Sequence, residues 1–141
     1  MVLDELRSEW RLLADLYALA IEMDRARFGS ITFLAAGERI RLKGDYKYNN
    51  KLKYSFNDST ELGRGGSGGC SHEWWHKFDE KKENKQLRAH AHMKLNEIAY
   101  FMNRLDNVQE ANGKTILDNS LFTISTESGD CLLYTSPSPR D

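Results

Sequence analysis

The chain has little cysteine, no long apolar run and almost no net charge, and each absence removes a class of protein. Only Cys70 and Cys131 are present, so a disulfide-stapled scaffold is excluded. The formal net charge is −1, which leaves no electrostatic footprint for nucleic acid or an anionic membrane surface. No apolar run approaches the roughly 18 residues of a membrane span. The opening MVLDELRSEW lacks the basic-then-apolar order of a secretion signal. The residues identify no partner, and no cofactor is implied by composition.

The last eleven residues, Cys131–Asp141, read CLLYTSPSPRD and resemble the in-frame translation of a transposase adapter used in sequencing libraries. On that reading residues 131–141 are an artefact without fold information, Cys70 stands alone, and residues 1–130 are a piece of one domain of a longer parent.

Two helical stretches frame those residues. In the first, Leu6, Trp10, Leu13, Tyr17 and Ala20 recur along one face, with Leu12, Leu16, Leu19 and Met23 as a second stripe beside it. A helix apolar over so much of its circumference is expected to be covered on more than one side. Asp24–Arg27 marks its end, Phe28 and Gly29 close it, and Ile31–Leu34 reads as a short buried strand. Residues 39–57 alternate weakly around Asn49-Asn50, which predicts a hairpin. Residues 58–71 read as a glycine-rich loop; its core, GRGGSGGCS at 63–71, lacks the Lys-Ser/Thr ending of a phosphate loop. A long helix follows from about Glu80 to Leu105, with Leu87, Ala91, Leu95, Ile98, Met102 and Leu105 as its buried stripe and Glu80–Lys85 as a solvated first turn. Ser120–Ser125 reads as a second buried strand. The expected fold class is therefore α/β: part of a mainly parallel sheet flanked by two long helices, with a small hairpin excursion.

His72-Glu73-Trp74-Trp75-His76 fits H-E-x-x-H, in which two imidazoles one helical turn apart hold zinc and the glutamate acts as base. The context opposes a zinc peptidase, because the glycine run directly upstream cannot supply the rigid helix that aims both rings. His90 and His92 point about 160° apart on a helix and cannot chelate together. Trp74 and Trp75 read as a core edge, and Cys70, on a glycine loop with no basic neighbour closer than Arg64, His72 or His76, does not read as a nucleophile.

From about Leu12 to Asp130 the chain resembles the carboxyl-terminal part of the bacterial domain-of-unknown-function family 1552. The segments that carry the likeness are LLADLYALAIEMDRARFGSITFLAAGER, His72-Glu73-x-x-His76, Ile98–Phe101 followed by Arg104-Leu105, and Leu117–Ser120 running into LFTISTESGD. Ser71 and Lys77 stand where the family's run has two further histidines. The strand ending also echoes the alkaline-phosphatase and sulfatase superfamily, with Glu127 at the acidic position and Ser128 where a histidine belongs. A hydroxyl in place of an imidazole removes a strong zinc ligand. The resemblance implies an exported parent and leaves two readings open. In one, the parent is a metal-assisted phosphatase- or sulfatase-like hydrolase, inactive as this chain, with His72, His76 and Glu127 on a divalent metal and Glu73 as base. In the other it is a non-catalytic binding or structural protein of the envelope. A right-handed crossover between parallel strands would bring His72, His76 and Glu127 to one sheet edge.

Overall fold

The structure, a computed structural model, describes residues 2–33, 41–58 and 83–125. Helix α1 spans Leu3–Glu22, strands β1 Lys43–Tyr48 and β2 Lys51–Asn57 form a hairpin, and helix α2 spans Lys85–Asp106. The two helices run side by side in the same direction: Arg7 and Arg11 meet Glu97, Asp15 meets Tyr100, and Glu22 meets Arg104. The hairpin closes the end where both helices begin.

Each element ends for a local reason. Asp24 takes a positive φ of 53° after α1, a conformation that Asp tolerates better than bulkier residues, and the amides of Asp24, Arg25 and Ala26 return to carbonyls of the last turn. Arg27 pairs with Asp24 and holds its carboxyl below the usual range through a hydrogen bond first and charge second. Just beyond, Gly29 lies so close to the Tyr17 hydroxyl that a Cβ there would sit 2.1 Å from it. In the hairpin, Asn49 and Asn50 have φ of 50° and 59°, the left-handed pair that a two-residue type I′ turn requires. A bulge between Tyr46 and Lys47 shifts the antiparallel register from Tyr46↔Tyr54 to Lys47↔Leu52. Helix α2 is capped by Asn84, whose Oδ1 accepts from the Leu87 amide at 3.0 Å.

The core has two parts. At the hairpin end, Leu3 and Leu6 of α1 pack with Leu42, Tyr46 and Phe56 and with Ala89 and Met93 of α2. At the far end, Trp10, Ala14 and Ala18 pack with Phe101, Leu105 and Ile116. Alanines at 14 and 18 let the helices approach closely, as small residues at a crossing do. Between the two clusters sits a charged knot. Glu97 is 0% exposed and accepts from Arg7 Nε at 2.6 Å, from Arg11 Nε at 2.5 Å and from Arg11 Nη2 at 3.1 Å. Donating to Glu97 raises the affinity of the Arg11 guanidinium for its proton. Arg11 also lies 4.4 Å from the centre of the Tyr100 ring, and the Tyr100 hydroxyl donates to Asp15.

The α/β expectation is corrected here. Among the described residues the sheet is one antiparallel pair, β1-β2, and the architecture is a small α+β arrangement of two helices and a hairpin. The apolar runs expected as parallel strands serve instead as packing segments. Ile31 and Phe33 fold onto the second cluster, with Phe33 5.5 Å from the Trp10 ring, but their backbone joins no ladder. Phe122 packs 5.9 Å from Phe101 while its neighbour Leu121 is 94% exposed, which a two-sided buried strand would forbid. A parallel contact does occur, but as a single isolated bridge between Val2 and Lys43. The crossover that would have gathered His72, His76 and Glu127 on one sheet edge is therefore absent among the described residues.

Candidate anion-binding groove

A groove of about 350 Å³ lies between β2 and the start of α2, lined by Lys53, Glu83, Lys85, Arg88, Ala89 and His92. Strand β2 supplies Lys53, while α2 presents Lys85, Arg88 and His92 at steps of three and four, so all three share one helical face. The lining carries three permanent cations against one carboxylate, and that carboxylate, Glu83, is already ion-paired with Arg88. No acidic residue sits in the first turn of α2, so the positive end of its dipole is uncompensated from within the helix. Helix α1 differs, with Asp4 and Glu5 in its first turn.

His92 is oriented from the core side. Its Nδ1 lies 2.6 Å from the hydroxyl of the buried Tyr46, and its ring stands edge-on to Tyr48 at 5.2 Å. Burial pushes the Tyr46 hydroxyl above its ordinary value, so it keeps its proton across the neutral range. When that hydroxyl donates to Nδ1, the His92 proton resides on Nε2.

At the two ends of the hairpin the chain is fastened by a second buried polar pair. Asp58 and Leu42 exchange bonds, with the Asp58 amide donating to the Leu42 carbonyl at 2.9 Å and the Leu42 amide donating to Asp58 Oδ2 at 3.0 Å. His90 Nε2 faces the same Oδ2 at 3.4 Å, an ion-pair distance without hydrogen-bond alignment, and the His90 ring packs 4.6 Å from Phe56. His90 is buried and His92 exposed, so the two rings serve different surroundings, as their spacing requires.

The sequence-based site residues His72, Glu73, His76 and Glu127 lie outside the described residues, as do Cys70, Trp74 and Trp75. Among the described residues no group of three or more His, Cys, Asp or Glu is placed to hold a metal ion, and no helix is long and apolar enough to cross a membrane. The groove cations were missed because Lys85 was read as part of a solvated first turn. The spacing of Lys85, Arg88 and His92 was a usable signal, but nothing local announces that Lys53 joins them across the hairpin. Comparison of the chain with protein-family models, with curated proteins and with solved structures finds no match in any of the three.

Proposed function

We propose that this chain recognises an oxyanion such as phosphate or sulfate in the groove between β2 and α2. It would be the anion-holding part of a protein related to the domain-of-unknown-function family 1552. The observation that carries this reading is the net positive lining: Glu83 and Arg88 pair with each other, which leaves Lys53 and Lys85 as the unbalanced cations beside His92. The described residues contribute binding rather than covalent chemistry, because their buried charges are committed to structure: Glu97 to Arg7 and Arg11, Asp58 to the Leu42 amide, Glu22 to Arg104. The groove cations are exposed, so each contributes roughly 0.2–1 kcal/mol, and the helix terminus adds roughly 0.3–1 kcal/mol. Affinity for a free ion is then on the order of 1 mM or weaker. Calorimetric titration of the intact chain with phosphate, sulfate and acetate tests this. Binding that Lys53→Ala and Arg88→Ala each weaken supports it; equal heats for the variants and the parent would refute it.

A second reading, metal-assisted ester hydrolysis in the parent, rests on the His72-Glu73-x-x-His76 sequence motif. In that reading His72, His76 and Glu127 hold a divalent metal and Glu73 is the base. Metal analysis of the parent decides it: stoichiometric metal lost on His76→Ala supports a site, and metal-free wild-type protein ends the hydrolase reading.

A further inference from the structure

The side of α1 turned away from α2 carries an apolar stripe that no described element covers. Leu12, Leu16, Leu19 and Met23 follow one another at steps of four, three and four, and are 62%, 56%, 44% and 59% exposed. The residues α1 buries, Leu3, Leu6, Trp10, Ala14 and Ala18, lie on the opposite side. A continuous exposed apolar surface of this kind marks an interaction face rather than ordinary surface scatter.

The charges at its two ends say what fits it. Toward the start of α1 the same face continues through Glu9 and Glu5, both exposed. Arg7 and Arg11 do not offset them, because both are turned to Glu97 on α2. Beyond Met23 the chain presents Arg25 and Arg27, also exposed, with Arg27 paired to its own Asp24. Leu16 lies seven residues after Glu9 and nine before Arg25, close to the midpoint. Two copies laid antiparallel about a two-fold axis near Leu16 therefore bring the acidic end of each against the basic end of the other. Laid parallel, they would set like charges side by side. A two-fold arrangement also makes the patch its own complement, as an isologous interface requires.

We infer that α1 is a self-association surface, and that two copies of this chain pair antiparallel through Leu12, Leu16, Leu19 and Met23, with Glu9 of each facing Arg25 of the other. The surface stands on the opposite side of α1 from the elements that build the groove, so it is independent of the anion-binding reading. Sedimentation of the intact chain over a wide concentration range tests it, with circular dichroism at 222 nm as the check on folding. The expected result is a reversible monomer–dimer equilibrium that Leu16→Lys abolishes without loss of helix. Glu9→Lys and Arg25→Glu should each weaken the dimer by about fivefold at low salt, and the two together should restore it. A monomer at every concentration would overturn the inference. So would association that Leu16→Lys removes but the charge reversals leave untouched, since that is apolar adhesion without the antiparallel register.

Discussion

Replacing Glu97 by glutamine keeps the size and shape of a fully buried side chain and removes only its charge. In the native packing that carboxylate receives three hydrogen bonds from two guanidinium groups, at 2.5 to 3.1 Å. Glutamine retains one acceptor oxygen and turns an NH₂ toward a cation, so at least one guanidinium faces a donor instead of an acceptor. Breaking a buried ion pair by removing one member costs roughly 3–5 kcal/mol. The Arg7 and Arg11 side chains keep 19% and 36% of their exposure and recover some hydration, which places the expected loss near the lower bound, about 3 kcal/mol. Small domains are stable by roughly 5–15 kcal/mol, so this is a large share of the total. With a urea slope of roughly 1–3 kcal/mol per molar, the unfolding midpoint followed by circular dichroism should fall by about 1–3 M. The compensating experiment replaces the whole knot, Arg7→Met, Arg11→Leu and Glu97→Leu together, which should recover most of the loss because no charge is then left uncompensated. A midpoint unchanged by Glu97→Gln, or a triple variant as unstable as the single one, would refute the view that this knot joins the two core clusters.

Other consequences follow from the same packing. Phe101→Ala empties the centre of the far cluster and should cost roughly 3–5 kcal/mol in urea unfolding. Asn50→Val forces a β-branched residue into the left-handed turn position and should cost roughly 1–2 kcal/mol, while Asn50→Gly should be neutral or stabilising. Burial raises the Tyr46 hydroxyl above its ordinary 10.0, so the folded state prefers the protonated phenol. Its contribution is complete below pH 10.0 and is lost as pH rises through the higher folded value; the fall in urea midpoint above that pH should be smaller in Tyr46→Phe. Burial lowers the proton affinity of the Lys94 ammonium, which marks that charge as unfavourable in the folded state at neutral pH. Lys94→Met should therefore raise stability by roughly 0.5–1 kcal/mol.

What the sequence made legible was local. The helix around Trp10, the long helix after the glycine run and the Asn49-Asn50 turn announce themselves through periodicity or backbone preference. But the long helix begins at Lys85 rather than near Glu80, and between Leu87 and Leu105 it buries Ala89, His90, Met93, Glu97 and Phe101 in place of the expected Ala91, Leu95, Ile98 and Met102. Leu13 of the first stripe is exposed. The parallel sheet failed because a short apolar run looks the same whether it pairs its backbone or only packs its side chains. Ile31, Phe33 and Phe122 do the second, against Trp10 and Phe101. The second stripe of α1 was read as buried because it is apolar, yet Leu12 and Leu16 face outward. The polar architecture was illegible for another reason: Arg7 and Glu97 are 90 residues apart, and Leu42 and Asp58 are 16 apart. Only the tertiary fold reveals that a mid-helix glutamate is a buried anchor, or that Lys53 shares a groove with Arg88.

The most direct test of anion recognition is a ¹H–¹⁵N NMR titration of the intact chain with inorganic phosphate at low ionic strength. Saturable shifts should concentrate on the amides of Lys85 and Gln86, at the start of α2, and on Lys53, Arg88 and His92, with a dissociation constant of about 1 mM or weaker. They should weaken in Arg88→Ala and with added salt. Shifts spread evenly over the surface, or none at the start of α2, would contradict the proposal that the groove is built to hold an oxyanion.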